Sequence, residues 1–500
     1  MARSLQSLAG TLGGILWLCA VGSAAEPPNV LFLMADDLNN RLGCYGDPQV
    51  QSPNIDKLAA RGVRFDRAYC QFPLCGPSRN SLLTGLYPNS SGIITNGTLF
   101  RQTIPRQQSF PQSLRLGGYF AGRIGKLYHY NVPNSEGTNG HDDPASWELE
   151  LNPAGCDRLL ELPDTFTLTP GQYGGTLSWY ASPREDQYHT DGLMADDAEW
   201  VLERCARRRD RPFFLAVGFF RPHTPYTSPK AYFEKYDRGQ MPVVQGVEAD
   251  QADLPRAALG SAKKEQDQLT DDLRREALQA YYASISFMDA QVGRVLDALD
   301  RTGLAENTIV VMTSDHGYHL GEHGLWQKMS LFEESTRVPL IIAAPGIARP
   351  GSAVATPVGL VDIAPTLLEL CQVAAPKNLQ GQSLAPMLKD SSVLGRGWAL
   401  SQVSRGGAGG KNKQFFGYSL RTPRWRYTEW NDGEQGRELY DHYADPRELS
   451  NLAEVPAHAE TMTDLSSQLR AAVKSTFPPS GERPQIPEGS VMWAPNLTNP

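Results

Sequence analysis

The sequence predicts an α/β protein: a mostly parallel sheet flanked by helices, followed by a smaller C-terminal antiparallel sheet subdomain. Three observations carry this. Four apolar runs of strand character are each followed at once by polar residues suited to chemistry, helical segments lie between them, and the pattern changes from about Ser401 onward.

The runs are Asn29–Met34 before Asp36 and Asp37, Tyr119–Ile124 before Lys126 and His129, Pro212–Phe220 before His223, and Thr308–Thr313 before Asp315 and His316. They are predominantly apolar and have strand character. Open parallel sheets place ligands beyond the carboxyl ends of their strands, so all four clusters are expected to meet on one sheet edge. Helices are expected over Asn54–Ala60, with Gly62 as a left-handed cap, over Asp191–Arg209, and over about Asp267–Leu299, closing at Gly303. Beyond Ser401 a Gly-rich patch, Gly406 to Gly410, precedes short runs at Phe415–Leu420, Arg424–Trp430 and Glu438–Asp441, then a helix near Ala459–Ser475 and a Pro-rich tail. The expected organisation is a signal segment at 1–25, a catalytic α/β domain at 26–400 and a C-terminal subdomain at 401–500.

The signal is read from Arg3, the apolar stretch Leu8 to Val21, and the small residues Gly22 to Ala25 before Glu26 and Pro27. A membrane span needs roughly 20 apolar residues, and this stretch is short and broken by Gly13 and Gly14. Bulky Leu18 before Cys19 argues against lipid attachment. The chain is therefore expected to be exported, to the periplasm or beyond, without a stable membrane anchor. A formal net charge of −8, with no long like-sign runs, excludes a broad basic surface for nucleic acid or anionic lipid. Export permits disulfides, but the six cysteines beyond the signal do not make a framework; with Cys75 reserved for chemistry, five remain and at least one is a free thiol.

Cys75-Gly76-Pro77-Ser78-Arg79 precedes a helix expected over Asn80–Leu86. A cysteine at a helix start meets free N–H groups and the positive end of the dipole, so it is either a reactive thiol or an ordinary loop cysteine. Arg79 follows one helical turn later, within reach of that side chain. Asp36 and Asp37 serve either as turn or cap residues or as oxygen ligands for a hard cation, and Asp315 at a second strand end favours the ligand reading.

Cys-x-Pro-Ser-Arg with Leu83-Thr84-Gly85 resembles the signature of the type I, formylglycine-dependent sulfatases. The likeness extends through Asn29 to Leu38, Gly125 to His129, Phe213 to Gly218, Arg221-Pro222-His223, and Ser314 to Gly324, and is nearest to the iduronate-2-sulfatase branch and its bacterial relatives. It implies an alkaline-phosphatase-like fold and hydrolysis of a sulfated carbohydrate. It also implies conversion of Cys75 to formylglycine (3-oxoalanine) by a maturation enzyme, and one calcium ion, or magnesium, held by Asp36, Asp37, Cys75, Asp315 and His316. His316 departs from the asparagine of many sulfatases but agrees with the iduronate branch; an imidazole is softer than calcium usually takes. By the same resemblance Arg79 holds the formylglycine hydrate, Lys126 and Lys328 offset sulfate charge, His223 is the general acid and His129 the base. His319 and His323 are read as loop or supporting residues. Arg101, Arg106, Arg184 and Arg221 are candidate cations for an acidic substrate. Two other readings stand beside this one: a phosphonate or phosphate ester hydrolase of the same superfamily, and an inactive binder of sulfated glycans.

Overall fold

The computed structural model describes residues 26–406 and 413–486. The expected signal segment, most of the Gly-rich patch and the end of the Pro-rich tail lie outside the described residues.

The main sheet has eight strands: β1 (Asn29–Ala35), β2 (Val63–Phe65), β3 (Phe120–Gly125), β4 (Leu149–Leu151), β5 (Phe213–Gly218), β6 (Thr308–Ser314), β7 (Leu340–Ala343) and β8 (Ser352–Val354). Their spatial order is β8-β2-β7-β6-β1-β5-β3-β4. Only β7 runs against its neighbours; every other pairing is parallel. The four strands read from sequence are the four adjacent strands at the sheet's centre, in the order β6-β1-β5-β3. Central parallel strands are covered on both faces, which explains why they are predominantly apolar.

Strand β1 illustrates the layering. Leu31, Leu33 and Ala35 face a core shared with helices α1 (Pro53–Arg61), α4 (Thr190–Arg207) and α5 (Asp271–Arg301); Val30, Phe32 and Met34 face a second core with α2 (Cys75–Thr84), α3 (Phe110–Leu116) and α6 (Ile363–Leu370). Every one of these six strand residues is fully buried. At about 1.5–3 kcal/mol per buried large aliphatic side chain, this two-sided contact is the main force holding the sheet.

Helix α2 begins at Cys75 rather than at the expected Asn80 and ends at Thr84, and two further expectations change for local reasons. Helix α5 begins at Asp271 rather than Asp267, because the Thr270 hydroxyl caps it by accepting from the Leu273 N–H at 3.3 Å, and Asp271 and Asp272 complement the dipole. Gly62 is not a left-handed cap: its φ of −125° is extended. Glycine is needed there for a different reason, since a Cβ would lie 2.8 Å from the Ile342 carbonyl oxygen of β7.

The C-terminal sheet is a four-stranded antiparallel meander, β9 (Ala399–Arg405), β10 (Phe415–Arg421), β11 (Trp425–Trp430) and β12 (Arg437–Asp441), with α7 (Ala459–Ser475) packed on one face through Leu465, Leu469 and Ala472. Its first strand begins two residues before the change of pattern read at Ser401. The opposite face carries a buried ionic junction to the main domain. Arg426 bonds Glu448 and Glu333 and donates to the Leu331 carbonyl at 3.0 Å, while Arg421 reaches Glu333 at 3.4 Å. Replacing Arg426 by alanine strands two buried carboxylates, so we expect a loss of about 3–5 kcal/mol in urea unfolding. A loss under about 1 kcal/mol would mean that the junction is held by Arg421 and by His442, whose Nε2 lies 2.7 Å from Glu448 Oε1.

Candidate active site

The carboxyl ends of β1, β3, β5 and β6 and the first turn of α2 converge on one buried cluster. Asp36 and Asp37 leave β1, Lys126 directly follows β3, His223 lies five residues beyond β5, and Asp315 and His316 leave β6. Lys328 arrives from the hairpin His319–Leu320 and Trp326–Gln327.

Cys75 opens α2 with its side chain buried, and its Sγ is 3.3 Å from His316 Nε2, 3.4 Å from Lys328 Nζ and 4.0 Å from Asp37 Oδ1. Burial alone would raise the thiol's pKa, but Lys126, Lys328 and His316 together hold it well below its ordinary value. The site is thus built to stabilise negative charge at position 75.

Arg79 is fully buried and its guanidinium is committed on all sides. Nε donates to Asp315 Oδ2 at 2.9 Å, Nη2 to Asp36 Oδ1 at 3.0 Å, and Nη1 to the Lys126 carbonyl at 2.6 Å. It therefore orders the carboxylates around position 75. Lys126 Nζ completes Asp36 at 2.6 Å. Burial would raise the Asp36 pKa, yet Lys126, His223 and Arg79 hold it far below the usual carboxylate range.

Asp37 sits at φ 66°, in the left-handed region that aspartate tolerates better than most residues. Two hydrogen bonds fix it there: its N–H donates to Asp315 Oδ1 at 3.2 Å and its carbonyl accepts from the Tyr281 hydroxyl at 2.8 Å. Its carboxylate accepts from Lys328 Nζ at 2.6 and 2.8 Å and lies 3.7 Å from His223 Nε2.

Donor atoms of Asp37, Cys75, Asp315 and His316 lie within 4.8 Å of one another, all buried. Two carboxylates, an imidazole and the side chain at position 75 offer donors suited to a divalent cation. Asp36 stands apart from this set, both its oxygens being engaged by Arg79 and Lys126. Burial lowers the His316 pKa, but Asp315 and Cys75 outweigh it and the imidazole ends above its ordinary value.

A cleft of about 710 Å³ borders this cluster, walled by His129, His223 and Lys328 and ringed by Asn96, Tyr173, Lys263 and Arg405. His129 is 5% exposed, and neither ring nitrogen has a hydrogen-bond partner. Burial holds its pKa down at about 4, with Cys75 drawing it the other way. His223 is oriented by Nδ1, 2.6 Å from the Thr224 carbonyl, which leaves Nε2 toward Asp37. A larger cavity, about 1310 Å³, lies at the C-terminal sheet between Lys413, Phe416 and Arg483 and holds none of the strand-end residues.

The four arginines read as substrate cations are placed elsewhere. Arg221 is buried and structural: it donates to the carbonyls of His223 and Pro225 at 2.9 and 2.7 Å and to Asp157 at 2.9 Å, so it shapes the His223 loop from behind. Arg101 pairs with Asp143 and Arg184 with Glu161, while Arg106 borders a different cavity. The cleft's additional cations are Lys263 and Arg405, which no motif singled out. His319 and His323 are buried supports: His319 lies 2.6 Å from the Ser330 hydroxyl and His323 is 3.1 Å from Asp250. Asn96, which accepts from the Gly76 N–H at 2.8 Å, and Tyr281 were also missed. All six cysteines among the described residues are free.

The mostly parallel sheet with its small antiparallel partner is the alkaline-phosphatase-like α/β fold. Residues 28–373 match the sulfatase family model, and residues 321–475 match that of the N-sulphoglucosamine sulphohydrolase C-terminal region. The chain belongs to the sulfatase family and is a sulfuric ester hydrolase. A sulfatase of Formosa agariphila is 34% identical over 449 residues, covering 87% of this chain and 84% of that protein. Iduronate 2-sulfatase of Mus musculus is 34% identical over 347 residues, covering 66% of this chain and 61% of its own length. A phosphonate monoester hydrolase structure from Agrobacterium radiobacter, 23% identical, superposes with a TM-score of 0.72 over 92% of this chain and 100% of that one, a likeness of fold alone. No helix among the described residues is long and apolar enough to cross a membrane.

Proposed function

We propose that this chain removes sulfate from a carbohydrate, using Cys75 after its maturation to formylglycine, with a divalent cation, calcium or magnesium by family resemblance, beside it. The observation that carries this is the crowding of Lys126, Lys328 and His316 around one buried side chain at a helix start. Asp37, Asp315, His316 and position 75 would hold the cation, with Asp36 adjacent; the cation would supply positive charge to the ionised hydrate and to the sulfate oxygens.

The chain's own residues account for the remaining work. Arg79 fixes Asp36 and Asp315 and so the geometry around position 75. A hydroxyl oxygen of the hydrated aldehyde attacks sulfur while the bond from sulfur to the sugar oxygen breaks. Lys126 and Lys328 face the charge that develops on sulfate. His223, at the cleft wall, donates a proton to the departing oxygen. His129 takes the proton of the remaining hydroxyl, which releases sulfate and restores the aldehyde. With its pKa near about 4, its ring is neutral and ready to accept at working pH. The roles of Lys126, Lys328, His223 and His129 follow the family resemblance, whereas Arg79 is taken up by Asp36 and Asp315 and Asp36 lies outside the donor group. Formylglycine formation requires a maturation enzyme in the producing cell. Export through the 1–25 segment belongs to the same reading.

Similarity to iduronate 2-sulfatase supports a carbohydrate substrate, and Lys263 and Arg405 at the cleft suit an acidic sugar. Sulfate release should be measured on sulfated uronic acid and hexosamine saccharides beside aryl phosphate diesters and phosphonate monoesters. We expect kcat/KM for the best sulfated saccharide to exceed that for either phosphorus ester by more than about 100-fold, roughly 3 kcal/mol of transition-state preference. The opposite ranking would replace this reading with a phosphonate or phosphate ester hydrolase, and inactivity of the matured protein on every ester would favour a glycan-binding role.

A further inference from the structure

We propose that Cys156, Glu161 and His189 form a zinc site separate from the active-site cluster. Cys156 opens the short helix Cys156–Leu159, Glu161 follows it, and His189 immediately precedes α4. A thiol, a carboxylate oxygen and an imidazole nitrogen from these three lie within 4.8 Å of one another, all buried, with Cys156 Sγ 3.5 Å from Glu161 Oε2.

The second, independent observation is His189 itself. Its side chain is 0% exposed and neither ring nitrogen has a hydrogen-bond partner; the closest ring, Phe287, meets it edge-on at 5.4 Å. A buried imidazole normally finds a partner for each nitrogen. Here one nitrogen instead belongs to a group of metal donors. The other oxygen of Glu161 is already engaged, accepting from the Ser182 hydroxyl at 2.7 Å and pairing with Arg184 at 3.3 Å.

The donor set selects the metal. Sulfur, nitrogen and a single carboxylate oxygen suit zinc, which is borderline-soft and takes all three, whereas calcium wants an oxygen shell. Binding forms a bond from the metal to Cys156 sulfur and releases the thiol proton to solvent, with no change of oxidation state. Thiolate, ionised carboxylate and neutral imidazole then balance the dication. The fourth position falls to water.

The location gives the site a consequence. Asp157, next to Cys156, accepts from the Thr190 N–H at 2.9 Å and from Arg221 at 2.9 Å, and Arg221 donates to the His223 carbonyl. A metal here would pin the start of α4 to the segment that backs the His223 loop, a structural role. None of Cys156, Glu161 or His189 touches the reacting group.

Cobalt(II) is the probe, because a thiolate ligand gives it a charge-transfer absorption that oxygen and nitrogen ligands do not. The measurement is made in full-length Cys75→Ala protein, where position 75 cannot contribute a thiolate. We expect the thiolate band, and one equivalent of zinc retained after dialysis. Adding Cys156→Ser or His189→Asn should abolish the band and weaken zinc binding by more than about 100-fold, since losing even an outer partner of a ligand costs about 10–100-fold. Circular dichroism checks the fold, and should Cys156→Ser not fold, His189→Asn reads the same loss. No band in Cys75→Ala protein, or a band that survives either added substitution in folded protein, overturns the assignment.

Discussion

Cys75→Ala protein should lose sulfate ester hydrolysis by a factor on the order of 10⁵ in kcat while remaining folded. Removing a covalent nucleophile that acts in concert with its partners costs about as much as removing the whole unit, on the order of 10⁴–10⁶. No neighbour can substitute. The Ser78 hydroxyl is committed to the Asp315 carbonyl, and the remaining groups around position 75 are cations and carboxylates. Stability should hardly fall, because the deletion removes one buried atom from a site that already concentrates charge. Steady-state hydrolysis of the best sulfated substrate, with unfolding followed in parallel, separates the two effects. Activity within tenfold of the unsubstituted protein would remove Cys75 from the chemistry.

Arg79→Ala should damage both stability and catalysis. Its guanidinium bridges Asp315 and Asp36 and caps two main-chain carbonyls, all without access to water. Deleting one partner of such an arrangement leaves buried carboxylate charge, at a cost of about 3–5 kcal/mol, tempered here because Lys126 still holds Asp36. Arg79→Lys keeps the charge but not the planar fork, so it should rescue only part of the loss. Misplacing Asp315 and position 75 should also lower kcat by about 10²–10³. Urea midpoints and kcat for both substitutions are the readout. If the Arg79 guanidinium were exposed rather than buried between these carboxylates, both changes would stay within about 0.5 kcal/mol.

How legible these features were depends on the range of the interactions that create them. The central strands announce themselves because burial on both faces forces unbroken apolar runs such as Val30 to Met34, and the polar residues after each run are then strand-end residues by position alone. Strands β2, β7 and β8 carry no comparable signal, being three or four residues long and defined by their partners. Strand β9 was hidden by Ser401, Gln402 and Ser404, which give it a polar look although the first two are buried by hydrogen bonds to distant residues. Arg221 shows the same limit within the site. An arginine beside Pro222 and His223 reads as a substrate cation, and only its long-range bond to Asp157 makes it a buried support. Gly62 was misjudged because its constraint is a neighbouring strand rather than its own φ. Lys263, Arg405 and Asn96 reach the cleft from segments whose placement no local pattern dictates.

The central claim is that position 75 carries the nucleophile in modified form, and the mass of the proteolytic peptide spanning Cys75, from protein made in its native host, tests it most directly. The expected mass is that of formylglycine in place of cysteine. An intact cysteine in catalytically active native protein would contradict it.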